Sequence, residues 1–315
     1  MVLLPLVALA IIWPMQSAQL GAIDDHWIIH ALNGGSLPVV EADRFRPGYW
    51  LVYAVEVASH GTNAAGWFVD RLLLATIALG AGYALARVWL TPAFAVLAAT
   101  LMLVGLQQEA FARLGPQEAF AVPLTLAGFA LIGRRRFAGL LLTTTAAFVK
   151  EPFILSALLA LGWAWWLGAR WSLAVPAAAV LVAGIGIAST IGRGAYSPPV
   201  FEGRYLYPFI IPVALVAAKL ATRRPVLLLL AVWLGVNFAA QTNASIARAN
   251  ATYRFQAALA EIRGHPYIVT TGGSSEYAYA IDVYLEDVPQ SGPCVEVVIR
   301  AEATGVCPTV VRPLG

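Results

Sequence analysis

The sequence predicts an all-α polytopic membrane protein of about nine transmembrane helices, with a small α/β C-terminal tail outside the membrane. Three observations predict it. Of 315 residues, 60% are hydrophobic and only 12% charged, and the mean hydropathy is +0.74. Soluble domains carry about 25% charged residues, so this chain lacks the charge to cover a water-facing surface. Apolar runs close to the ~20 residues that cross ~30 Å of hydrocarbon recur along the chain, and the composition turns polar after residue 240. A soluble enzyme, a disordered chain and a nucleic-acid binder are thereby excluded.

In order, spans are expected at roughly 1–15, 66–86, 91–106, 119–133, 137–149, 152–169, 172–190, 206–221 and 225–240. Unmet backbone polar groups are too costly in lipid for such runs to be anything but helical. Residues 1–15 have no basic leader, and Ser17-Ala18-Gln19 makes a poor cleavage site, so an uncleaved span is expected rather than a signal peptide. Either leaves the downstream orientation unchanged. Residues 16–65 stay outside, with Trp50–Ala58 as a helix along the membrane surface.

Orientation follows from Arg87, Arg134, Arg135, Arg136, Arg170, Lys219, Arg223 and Arg224, which share the loops of one side with no acid. Basic short loops are cytoplasmic. All 17 Asp and Glu residues then fall on the outer side or at outer span ends. This places the N-terminus in the cytoplasm and the tail outside, in the periplasm if the membrane is a bacterial inner membrane. The domains expected are a transmembrane unit, 1–240, and a tail, 241–315. The tail reads as a polar helical stretch Asn243–Arg263, a strand Tyr267–Thr271, a helix near Ser274–Leu285 and a strand Val295–Arg300. The only cysteines, Cys294 and Cys307, both lie there; in an oxidising compartment they are expected to pair, the alternative being two buried thiols.

The strongest local signal is Asp24-Asp25-His26 after the first span. Adjacent carboxylates near a membrane are costly unless solvated, paired or metal-bound. A solvated loop is the plain reading, but acids and bases recur on the same face: Glu109, Arg113, Glu118, Lys150, Glu151, Glu202 and Arg204. So many points to a lined outer cavity. Lys150, one of two lysines, is either an interface residue reaching for water or a point charge held for a phosphate. Arg204 offers a fork suited to phosphate, and Arg44 and Arg46 add positive charge. Glu109, Glu118 and Glu151 are candidate cavity acids or ligands of a divalent cation, Mg or Mn. His26 and His30, four apart, could face a metal, but no third histidine is near. No P-loop, complete GxGxxG or CxxC pair occurs.

The order of these motifs resembles a known family. An acidic pair follows the first span, Arg46-Pro47 precedes the surface helix, and Gln108-Glu109-Ala110 comes with Gly115-Pro116-Gln117-Glu118. Lys150-Glu151-Pro152 and Arg204-Tyr205-Leu206-Tyr207-Pro208 complete the set. This is similar to the membrane-embedded glycosyltransferases of the GT-C fold, in the protein O-mannosyltransferase and dolichyl-phosphate-mannose-dependent branch, over about residues 1–240. The resemblance implies a polyprenyl-phosphate sugar as donor and a protein, glycan or lipid acceptor on the outer face. It implies Asp24 as general base or metal holder, with Asp25 as neighbour and substitute, and Lys150 and Arg204 near the donor phosphate, where the charge of Arg46 makes it a further candidate. The chain departs from the family in having fewer spans, and in Gly203 where an acid precedes the arginine, with Glu202 one position earlier. A transporter or flippase for the same lipid-linked sugar, or a non-catalytic subunit that binds it, is the alternative.

Overall fold

The computed structural model describes residues 3–22, 25–35, 47–111, 113–115, 118–168, 174–192, 207–271, 275–302 and 305–313. Each of the nine apolar runs contains a helix. These are α1 (Leu3–Ile12, extended by a 3-10 turn Trp13–Met15), α4 (Ala64–Ala86), α5 (Pro92–Leu103), α6 (Glu118–Ile132), α7 (Arg136–Val149), α8 (Ile154–Trp166), α9 (Ala174–Gly192), α10 (Tyr207–Leu220) and α11 (Arg224–Ile262). Two helices lie between α1 and α4: α2 (His26–Leu32) and α3 (Pro47–His60). Their starts follow local chemistry. The Asn63 side chain accepts the Ala65 N–H at the head of α4, and prolines occupy the first turns of α5 and α11.

Length is where the structure departs from the expectation. Among the described residues only α4 and α11 are long and apolar enough to cross a membrane. Helices α5, α6, α7 and α10 have 12, 15, 14 and 14 residues, which reach about 18–22 Å at about 1.5 Å per residue. They stop short because turn and charged residues intrude at one common end. α5 ends before Gly105, whose φ of +130° a side chain would resist. α6 begins on Glu118, and α7 ends at Lys150-Glu151-Pro152.

α4 is central, burying Trp67, Arg71, Ala75, Ala78, Leu79, Gly82 and Leu85 on the face that meets α1, α5 and α6. α6 and α7 cross closely. A Cβ on Gly128 would lie 2.8 Å from the Gly139 carbonyl oxygen, and one on Gly139 would lie 2.6 Å from that of Gly128. Such backbone proximity is how helices associate where lipid removes the hydrophobic drive. The outward faces are apolar: Leu51 and Val55 on α3, Leu73 and Ile77 on α4, and Leu228, Leu229, Val232 and Val236 on α11 are all exposed. The helix expected along the surface is α3, and it turns Tyr49, Trp50, Tyr53 and Glu56 inward.

α11 runs unbroken through residue 240 to Ile262, so the polar stretch of the tail is the same helix as the last apolar run. Beyond it, β1 (Tyr267–Thr271) pairs in parallel with β2 (Val295–Glu302), the two joined by α12 (Ser275–Leu285). A third strand that the sequence reading did not anticipate, β3 (Gly305–Pro313), pairs antiparallel with β2. Phe255, Leu259 and Ile262 of α11 pack with Tyr277, Ala280, Ile281 and Leu285 of α12 and with Val295 and Val297 of β2.

The register corrects the expected disulfide. Cys307 sits opposite Arg300, six positions beyond Cys294 on β2's side of the hairpin. At about 3.3 Å per residue that is about 20 Å, against the Cα separation of about 4.4–6.8 Å that a disulfide requires. Cys294 is a free thiol.

Candidate functional site

Of the residues the sequence singles out, Asp24, Arg46, Arg204 and Glu202 lie outside the described residues. Glu109 is placed only as a backbone position in the 3-10 segment Leu106–Phe111. Asp25, Glu118, Lys150 and Glu151 are described, and they are 6%, 0%, 5% and 5% exposed. That burial excludes both a solvated loop for Asp25 and an interface-seeking lysine at position 150.

Asp25 stands immediately before α2, and its Oδ2 accepts the Gly21 N–H at 2.6 Å. Its other oxygen faces Gly115. A Cβ at that glycine would lie 2.2 Å from Asp25 Oδ1 and 2.7 Å from the Tyr53 hydroxyl oxygen. Glycine is therefore needed here for close approach. The Tyr53 hydroxyl donates to the Gly115 carbonyl, tying α3 to the loop before α6. Beside Asp25, His26 Nδ1 lies 2.9 Å from the Ala22 carbonyl, so that nitrogen carries the proton.

The same loop is held from α4. Arg71, fully buried, donates Nε–H to the Leu114 carbonyl at 2.6 Å and pairs with Glu56 of α3 at 3.0 Å. Its guanidinium also lies 5.1 Å from the centre of the Phe120 ring and 5.9 Å from that of Trp67. Burial pushes the Glu56 carboxyl above its ordinary pKa, and the charge and hydrogen bond of Arg71 pull it part of the way back.

Lys150 Nζ lies 3.3 Å from Glu118 Oε1, so it pairs across to the head of α6. The start of α3 closes on this pair: a Cβ on Gly48 would meet the backbone of Phe148 and Val149 at 3.0 Å. Tyr207, the end of the arginine-tyrosine motif, sets its ring 6.1 Å from that of Phe153, two residues from Glu151. Among the described residues, neither the Tyr207 hydroxyl nor the Gln108 side chain has a hydrogen-bond partner, although both are buried. No group of three His, Cys, Asp or Glu gathers at metal-ligand spacing among the described residues.

The structure thus brings Asp25, Glu118, Lys150 and Glu151 to one end of the bundle, and adds Tyr53, Glu56 and Arg71, which sequence reasoning missed. The signal for Arg71 was present: a charged residue inside a 23-residue apolar helix is rare without a partner. Chemically, the layer offers a carboxylate fixed by a backbone N–H, a lysine cation and unused hydroxyl and amide capacity, all at the rim of an apolar-sheathed bundle. Comparison of the chain with protein-family models, with curated proteins and with solved structures finds no match in any of the three.

Proposed function

We propose that the chain is a polytopic glycosyltransferase of the GT-C type. It moves a sugar from a polyprenyl-phosphate donor to an acceptor hydroxyl on the outer, periplasmic face of a bacterial inner membrane. In this reading the short helices cross the bilayer tilted or span only part of it alongside α4 and α11, the charged layer lies at the outer rim, and the tail projects outside. The observation that carries the proposal is the buried layer itself. A carboxylate held by a backbone N–H and a buried lysine paired with Glu118 both lie at the ends of apolar helices, where in this reading a lipid phosphate arrives from the membrane and a hydroxyl arrives from water.

Asp25, with Asp24 beside it in sequence, takes the proton of the acceptor hydroxyl. The acceptor oxygen forms a bond to the anomeric carbon as the bond from that carbon to the phosphate oxygen breaks, with inversion. The pair of electrons leaves on the lipid phosphate, whose charge is met by Lys150 and by Arg204 and Arg46. Gln108 and Tyr207 suit a hydroxyl-rich ligand, since a buried polar group gains most from a partner it lacks.

The test is sugar transfer in proteoliposomes loaded with radiolabelled polyprenyl-phosphate sugars, with and without Mg or Mn. Wild type is compared with Asp24→Asn and Asp25→Asn. Label leaving the lipid in wild type, and lost in at least one variant, supports the reading. Saturable donor binding with no turnover overturns it in favour of a transporter or an inert lipid-binding subunit.

A further inference from the structure

Residues 18–22, which lead into Asp25, form no helix or strand, so their backbone groups need partners from elsewhere. Three of those partners come from the far end of the chain. The Gln19 N–H donates to Thr252 Oγ1 at 3.0 Å, Gln256 Nε2 donates to the Leu20 carbonyl at 2.6 Å, and the Tyr284 hydroxyl donates to the Gly21 carbonyl at 2.7 Å. The Leu20 carbonyl and the Gly21 N–H belong to one planar peptide unit. Gln256 therefore holds, on its oxygen side, the same peptide whose N–H bonds Asp25 Oδ2 at 2.6 Å. Hydrogen bonds in series polarise one another, so the donor on the carbonyl strengthens the one to the carboxylate. α11 also leaves no slack here: a Cβ on Gly21 would sit 3.0 Å from Thr252 Cγ2.

We infer that the C-terminal tail completes the Asp25 site, with Gln256 and Tyr284 as positioning residues that fix the peptide bonds on either side of Gly21 and thereby aim the Asp25 carboxylate. The catalytic part of this inference rests on the reading of Asp25 as the base. Burial holds the Tyr284 hydroxyl well above its ordinary pKa and the Asp25 charge adds to the effect, which places the two within electrostatic reach. Asn33, whose side chain donates to the Val283 carbonyl at 3.1 Å, ties the far end of α2 to α12 as well.

The experiment uses the full chain in proteoliposomes and compares Gln256→Leu, Tyr284→Phe and, as a tail control, Tyr267→Phe. Two readouts are taken: transfer from the radiolabelled polyprenyl-phosphate sugar, and backbone hydrogen exchange. In the first two variants kcat is expected to fall about tenfold, the scale of one hydrogen bond in a charged network, while the donor KM holds. Exchange over residues 19–25 is expected to speed up, with α4 unchanged, and Tyr267→Phe is expected to match wild type in both. Unchanged exchange over 19–25 overturns the positioning role whatever the activity. Faster exchange with wild-type kcat overturns its catalytic part. If wild type transfers no sugar, the transferase reading falls, and exchange alone decides whether the tail holds the loop.

Discussion

Replacing Gly115 with alanine places one methyl group against the candidate base. The new Cβ would lie 2.2 Å from Asp25 Oδ1 and 2.7 Å from the Tyr53 hydroxyl, where carbon and oxygen need at least 3.0 Å. The carboxylate must therefore retreat by about 1 Å, and it is buried and already held on its other oxygen by the Gly21 N–H. A misplacement of about 1 Å near the reacting atoms costs about 10²-fold in rate, equivalent to about 2.7 kcal/mol of barrier. The cost in stability is that of a small overpacking, about 1–3 kcal/mol. The assay pairs initial rates of sugar release from the labelled donor with thermal unfolding in detergent, followed by tryptophan fluorescence. Gly115→Ala is expected to stay folded, bind donor and lose most of its turnover. A folded variant that turns over at the wild-type rate would refute the argument, because the Asp25 carboxylate would then tolerate displacement.

Other perturbations separate the parts of the fold. Arg71→Met strands Glu56 in a buried setting and unpairs the Leu114 carbonyl, and should cost about 3–5 kcal/mol in denaturant titrations; adding Glu56→Gln should recover part of it, and a double variant no better than the single would sink the pairing argument. Gly139→Val forces a side chain onto the Gly128 carbonyl, which lies on rigid backbone, and should lower the unfolding temperature sharply by separating α6 from α7; an unchanged midpoint would show that the helices do not cross there. In the tail, burial and then the Asp282 hydrogen bond push the Tyr267 hydroxyl up from 10.0 to about 12. The folded tail keeps this proton where the unfolded chain has lost it, so the contribution is whole below pH 10 and disappears as pH rises towards 12. Spectrophotometric titration should show one late tyrosine missing from Tyr267→Phe and shifted down in Asp282→Asn.

How far the sequence carried the reading depends on the kind of signal. The helices stand where the apolar runs stand, because a run such as Leu227 to Leu234 has few folding options other than a helix. Strand β1 and helix α12 were readable from Tyr267–Thr271, the glycines after it and the periodic Tyr277, Ala280 and Ile281. β3 was not, since Pro308 interrupts its pattern and its evidence is the partner strand. The Cys294–Cys307 pairing was drawn from redox chemistry, which is blind to register. The change of composition at residue 240 looked like a boundary, but one continuous helix runs through it. Asp25, Glu118 and Lys150 announced themselves as charges beside apolar runs. Glu56 and Arg71 lay inside such runs, and their pairing across 15 residues depends on how α3 folds back on α4.

The unbroken course of α11 has a mechanical consequence. Its 39 residues make a rod about 58 Å long, whose apolar stretch packs on the rest of the chain along one side only, through Leu230, Leu234 and Phe238. Gln256 lies 32 residues along it, a lever of about 48 Å. A tilt of about 5° about the far end carries that side chain about 4 Å, whereas the bond it makes to Leu20 survives a stretch of only a few tenths of an ångström. Helices tilt to match the thickness of the bilayer around them. Were α11 to cross a bilayer as proposed, the thickness of the surrounding membrane would be transmitted along the helix to the peptide bond next to Asp25.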